Sequence, residues 1–272
     1  MEIAFSKIHG LGNDFVVLNE LEGEIVKDKA GFAKKFCERH TSVGADGILF
    51  ICVSEKADFK MRIFNSDGSE AENCVNGLRC VALQKYLFDN REKSGYSIET
   101  LAGMVNAKIV SFEKGIAFVE IEFLGKKEFK EKGRVEINER VFEYDFIDVG
   151  NPHAVIFMDD PVKNFDIEGV GHQIEHHETF APARTNAEFV NLVSKQEVNM
   201  RVHERGACET MACGSGSIAI VVAGVEDGLL EKGVWVKVNQ PGGMIEINFD
   251  GTNLLLRAKA EKVFEGKLEW GD

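Results

Sequence analysis

Apolar residues along the chain fall mostly into short alternating or continuous runs. FKMRIFN, from Phe59 to Asn65, and VNMRVHE, from Val198 to Glu204, send side chains alternately to two faces, as a half-buried strand does. GILFICV from Gly47, GIAFVEIEF from Gly115, HAVIFM from His153, GVWVKV from Gly233 and GMIEINF from Gly243 read as further strands. Helical spacing is confined to a few segments: KAGFAKKFCERH from Lys29, VNGLRCVALQKYLFDN from Val75 and GSGSIAIVVAGVEDGLL from Gly214. The mixture predicts an α+β fold.

Two of these stretches share a local grammar of strand, polar turn, cysteine and apolar helix. Laid over one another, MRIFNSDGSEAENCVNG (Met61 to Gly77) and MRVHERGACETMACGSG (Met200 to Gly216) match at Met, Arg, Glu, Cys and Gly without a gap. The offset of 139 residues is close to half of the 272-residue length, as two tandem copies of one domain would give. Gly12-Asn13 against Gly150-Asn151, and GADGILFI from Gly44 against ARTNAEFV from Ala183, keep nearly the same spacing. A duplicated chain is therefore expected, with halves at 1–122 and 123–261. The switch falls in the charged stretch LGKKEFKEKGRVEIN after Phe123, and the tail 262–272, with EKVFEGKLEW, returns to the first half as a final strand.

Composition narrows the partners. With 44% hydrophobic and 28% charged residues and four prolines, the chain is that of a folded globular protein. A net charge of −13 without a run of Lys or Arg argues against nucleic acid and anionic lipid. No apolar stretch approaches the roughly 18 residues that span a bilayer. The beginning MEIAFSKIHGLGNDF does not read as a secretion signal, and six cysteines at irregular intervals fit reduced thiols, so a cytoplasmic location is expected. The pattern allows a homodimer without requiring one.

Cys74 and Cys213 stand where the two helices begin. Unpaired N–H donors and partial positive charge there receive an anion and favour a thiolate. If the halves close face to face, the two sulfurs approach a bound molecule from opposite sides. That suits inversion at a carbon bearing one hydrogen: one thiolate removes the proton and the other thiol returns one to the opposite face. An amino acid, its carboxylate held by backbone N–H groups, is the natural small-molecule substrate, and no cofactor is needed. Cys37, Cys52 and Cys80 read as small buried hydrophobes and Cys208 as a turn residue. His172 and His176 have helical metal-ligand spacing, but no metal is expected, and GSGS lacks the Lys-Ser/Thr of a phosphate loop.

At these residues the sequence resembles the diaminopimelate epimerases. FSKIHGLGNDFVVL, VGADG, FNSDGSEAENCVNGLRC, ETLAG, VGNPHAV, IEHHETFAPARTN and HERGACETMACGSG occur in the family's order over nearly the whole chain. The resemblance implies two pseudo-symmetric domains, each a mostly antiparallel or mixed sheet wrapped around a central helix, with the active site in the cleft between them. It implies Cys74 and Cys213 as catalytic base and acid, with His153 and Glu204 setting their protonation. Asn13, Asn65, Asn151, Asn186, Glu204 and Arg205 would hold the substrate, and the backbone at Val75, Asn76, Gly214 and Ser215 the reacting carboxylate. Two residues depart from the family: Val75 stands where Gly is usual, and Gly47 where some members carry Gln. Left open are a related amino-acid racemase acting on proline or histidine, an isomerase of the phenazine-biosynthesis type, which lacks the two cysteines, and a binding module without turnover.

Overall fold

The computed structural model describes residues 1–123 and 128–271. The chain divides into two compact units, Met1–Leu124 with Arg257–Asp272, and Gly125–Leu256. The charged stretch in which the switch was expected opens with residues 124–127, outside the described residues; from Glu128 it is a strand.

In the first unit β1 (Glu2–Gly10) and β2 (Asn13–Glu20) form a hairpin whose two loop residues, Leu11 and Gly12, both have positive φ, at 58° and 90°. Such a two-residue turn follows the right-handed twist of the strands, and it sets Asn13 at the hairpin's corner. After α1 (Lys29–Phe36), β3 (Gly47–Cys52) runs parallel to β2, and β4 (Phe59–Asn65) returns antiparallel to β3 with Asn65 opposite Gly47. A short β5 (Glu70–Ala71) folds back on β4 and leads to α2 (Val75–Phe88). β6 (Gly95–Thr100) then lies parallel to β4, followed by the antiparallel β7 (Gly103–Glu113) and β8 (Ile116–Phe123).

The second unit repeats this order. β9 (Glu128–Ile137) precedes β10 (Arg140–Asp148), which pairs antiparallel with β11 (Pro152–Phe157). Past α3 (Ile167–Glu175), β12 (Asn186–Ser194) is parallel to β11, and β13 (Glu197–Glu204) antiparallel to β12. β14 (Cys208–Glu209) folds back and leads to α4 (Gly214–Glu226), β15 (Trp235–Gln240) lies parallel to β13, and β16 (Gly243–Phe249) antiparallel to β15. The last strand, β17 (Leu254–Glu269), pairs with β1 through residues 261–269 and also with β8, so the strands of the first unit close on themselves around α2.

The fold is thus α+β, with two pseudo-symmetric units of mixed sheet, each wrapped around one helix. α2 is buried from Asn76 to Gln84, and α4 from Gly216 to Gly224. A helix enclosed by sheet has no solvent face to mark with charge, which is why both read apolar nearly all round. Leu78, Val81 and Leu83 pack in one core with Leu49, Phe59 and Met61. No helix among the described residues is long and apolar enough to cross a membrane.

The duplication extends to a matched ion pair. Arg62 Nε and Nη2 reach Glu70 at 2.6 and 3.0 Å; Arg201 Nε and Nη2 reach Glu209 at 2.6 and 2.7 Å. Each pair ties the strand before the cysteine to the turn that delivers it. Arg201 also donates to the carbonyls of Val162 and Phe165, both at 2.9 Å. Arg201→Ala should therefore lower the unfolding free energy by about 2 kcal/mol in urea titration, against less than about 1 kcal/mol for Arg62→Ala, whose guanidinium meets Glu70 and lies over the Phe64 ring without such carbonyl bonds.

Candidate active site

Each enclosed helix is capped at its start by a thiol. Cys74 (φ −152°, ψ 114°) and Cys213 (φ −117°, ψ 111°) have the extended backbone of an N-cap, and each sulfur accepts from the N–H three residues on, Gly77 at 3.4 Å and Gly216 at 3.3 Å. The two glycines are needed for close approach to a strand. A Cβ on Gly77 would sit 3.1 Å from a Leu49 methyl, and one on Gly216 2.8 Å from Glu188 Oε1. Leu49 and Glu188 occupy the same place in the two units, and there the copies part company.

Around Cys74 the groups are amides and paired charges. Asn13 Oδ1 accepts from Cys74 Sγ at 3.9 Å and from Asn76 Nδ2 at 3.1 Å, while Asn13 Nδ2 donates to Asp46 at 2.7 Å. Arg39 holds both Asp46 and Asp14, and Lys7 reaches Asp14 at 2.6 Å. Burial raises the Asp14 carboxyl, but the bonds from Arg39 and Lys7 outweigh it and bring it down to about 2. Asn65, exposed at the end of β4, turns its amide away from the Asn13 group and donates to Ser69 at 3.0 Å. Val75, half-buried, is the first residue of α2.

Around Cys213 the groups are acids and a histidine. His153 Nδ1 lies 2.6 Å from Glu188 Oε1, both fully buried, and His153 Nε2 and Glu188 Oε2 have no partner among the described residues. Glu204 accepts from Thr210 Oγ1 and from the Cys213 thiol. Asn151 donates to Ser215 Oγ at 3.4 Å, and that hydroxyl lies 3.5 Å from Cys213 Sγ. The Cys213 N–H donates to Gln240 Oε1 at 2.7 Å, while Gly214 follows as the first helical residue. Asn186 donates to the Pro152 carbonyl at 2.7 Å and accepts from Arg205 N–H at 2.9 Å, so it fixes the turn that carries the exposed Arg205 side chain, itself 2.8 Å from the Ala183 carbonyl.

The diaminopimelate epimerase family profile matches residues 5–128 and 146–263. The chain belongs to the diaminopimelate epimerase family. It is 42% identical to the diaminopimelate epimerase of Acetivibrio thermocellus, covering 97% of this chain and 98% of the relative. It is 37% identical to that of Halothermothrix orenii, over 98% of each chain. Among solved structures, a predicted epimerase from Pseudomonas aeruginosa superposes with a TM-score of 0.73 at 12% identity, covering 99% of this chain and all of the other. A hydroxyproline epimerase from Agrobacterium vitis does so with 0.72 at 13%, covering 98% of this chain and 91% of the other. At such identities these likenesses show the fold alone.

As a diaminopimelate epimerase family member the chain is an isomerase, and several residues bonded to the groups around Cys74 and Cys213 escape a reading by motif. Glu188, Gln240 and Asp46 were not anticipated; for Glu188 the signal was present, a carboxylate inside the apolar run NAEFVNL where the first copy has Leu49. A cavity of about 410 Å³ in the first unit, lined by Glu20, Lys29, Cys52 and Arg62 among others, contains none of the expected site residues. His172, Glu175 and His203 do gather, with ligand atoms within 4.8 Å. Glu175 is already engaged by His203 at 3.0 Å, Arg184 at 2.8 Å and Gly206 N–H at 3.0 Å, so the cluster pins the loop beside Arg205.

One expectation is reversed. A thiol at a helix start was expected to ionise easily, yet Cys213 is pushed well above the ordinary cysteine range. Burial is the largest cause, with the charges of Glu204 and Glu188 next, and the bonds from Ser215 and Gly216 N–H do not offset them. Burial likewise raises Glu204, despite the hydrogen bond from Thr210. A carboxyl raised in the folded state adds stability below its unfolded pKa and loses it as pH rises through the folded value. Glu204→Gln should accordingly gain stability relative to the parent as pH rises above the unfolded carboxyl value of about 4.3 in urea unfolding, and should lower the pH at which Cys213 ionises, read from ultraviolet thiolate absorbance against a Cys213→Ala control.

Proposed function

We propose that the chain interconverts LL- and meso-diaminopimelate by moving one proton at Cα, with Cys74 and Cys213 as the acid–base pair. What carries this reading is the repeated helix start: two equivalent N-cap positions, each filled by a thiol that accepts from a glycine N–H. In one direction the thiolate of one cysteine takes the Cα proton while the thiol of the other gives its proton to the opposite face of the carbon. The pair ends with its protonation exchanged, ready for the reverse reaction. Inversion requires that the two sulfurs meet the carbon from opposite sides, because a single base would return the proton to the face it left.

The remaining roles follow from residue chemistry. Backbone N–H groups of Val75, Asn76, Gly214 and Ser215 lie in first helical turns, where they lack helical acceptors, and they suit the reacting carboxylate as its negative charge grows. The buried His153–Glu188 pair and Glu204 tune the proton on Cys213. Arg205 uses one donor on Ala183 and has the rest of its planar fork for the distal carboxylate. Asn13, Asn65, Asn151 and Asn186 supply amides that both donate and accept, to orient ammonium and carboxylate. The reduced thiols this scheme needs fit work in the cytoplasm.

Cys74→Ser and Cys213→Ser should each cut epimerisation by about 10²–10⁴, since a hydroxyl is a far weaker base than a thiolate. Incorporation of solvent deuterium at Cα, scored over a panel of amino acids that includes LL-diaminopimelate, tests substrate and mechanism together. Binding of diaminopimelate without any exchange, or full activity in either serine variant, would overturn the reading.

A further inference from the structure

At one place the second unit sets ionisable side chains where the first packs an apolar contact. With the common offset of 139 residues, Glu175, Arg184 and His203 take the places of Phe36, Ala45 and Phe64, which share one core of the first unit. The turn that follows differs as well, carrying Arg205 where the first copy has Ser66. The copy that presents a guanidinium on this turn is the copy whose support has become polar.

Glu175 is the hub of that support. It ends α3, is only 2% exposed, and has both oxygens engaged. Oε1 accepts from Arg184 Nη1 at 2.8 Å and from the Gly206 N–H at 3.0 Å, and Oε2 accepts from His203 Nε2 at 3.0 Å. Burial raises the carboxyl, but the bonds from His203 and the Gly206 N–H outweigh it and hold it below the ordinary carboxylate range. The helix lies close on the buried His203, since a Cβ on Gly171 would come 2.4 Å from the His203 Cβ.

Two of the bonds to Glu175 reach opposite ends of Arg205. Gly206 follows it in the chain, in a turn closed by the Ala207 N–H on the Glu204 carbonyl at 3.0 Å, with Gly206 at φ 79°. Arg184 follows Ala183, whose carbonyl accepts from Arg205 Nη1 at 2.8 Å. One buried carboxylate therefore sets both where the Arg205 main chain departs and where its guanidinium comes to rest. Arg205 itself is exposed, and a free arginine loses rotamer entropy of up to about 2 kcal/mol on binding, a cost that prior ordering reduces.

We infer that Glu175 is a positioning residue for substrate recognition: by tying the Gly206 N–H and Arg184 to one point, it preorganises Arg205 for the distal carboxylate. The inference rests on the reading of Arg205 given above. Glu175→Gln keeps the shape and one acceptor oxygen but removes the charge. It should raise KM for LL-diaminopimelate about tenfold and change kcat less than about twofold, because the distal carboxylate takes no part in proton transfer and is held alike before and during it. A residue that acts only through Arg205 has nothing left to do once that side chain is gone. In an Arg205→Ala background, Glu175→Gln should therefore leave kcat/KM within about twofold of Arg205→Ala alone.

Arg184→Ala removes one of the bonds from the exposed side and should raise KM about threefold. It serves as the deciding variant if Glu175→Gln does not fold, as judged by circular dichroism. The parent's KM in a folded Glu175→Gln protein, a fall in kcat as large as the rise in KM, the full loss repeated in the Arg205→Ala background, or an unchanged KM in Arg184→Ala when that variant decides, would overturn the assignment. Failure of the reading on which it rests would show separately, as an unchanged KM in Arg205→Ala alone.

Discussion

Everything at the candidate site depends on a sulfur accepting a backbone N–H at the first turn of an enclosed helix. The bond fixes the thiol to the helix, and the sheet wrapped around the helix fixes the helix in turn, so neither sulfur is carried on a loop that must be ordered before chemistry. Glycine at the third position is part of the same constraint. Without a Cβ the helix start settles against Leu49 in one unit and Glu188 in the other, where a methyl would force those side chains to shift.

One frame used twice need not give one chemistry twice. Strand order, parallel crossovers, ion pairs and caps recur, but the ring of groups beneath the helix start does not. The first unit sets a guanidinium and amides there, the second two carboxylates and a histidine. The proposed proton transfer would need its two ends to differ in a given state and to exchange that difference during the reaction. Divergence at a few positions beneath a preserved backbone would supply such a difference without disturbing the caps that hold the sulfurs.

Much of this was legible in the sequence, for reasons that differ by element. Strands such as Phe59–Asn65 and Glu197–Glu204 advertise themselves by alternation, because one face is core and the other is not. The helices were visible as apolar spacing after a capping position, though the stretches read as helix run past their ends at Phe88 and Glu226. What stayed hidden was anything whose role comes from the third dimension. Arg79 looks like a surface residue of a helix until the helix is known to be enclosed, and Gln240 lies far along the chain from the Cys213 N–H it accepts. The reversed proton affinity of Cys213 has the same origin, since a helix end favours the thiolate only while water or a cation is near.

The strand that completes the first unit is encoded after the whole of the second. β1 cannot pair with residues 261–269 until those residues have left the ribosome, so the earlier half of the chain must wait, partly built and with a sheet edge exposed, while the later half is synthesised. Loss of residues 261–269 would therefore damage the half that was translated first.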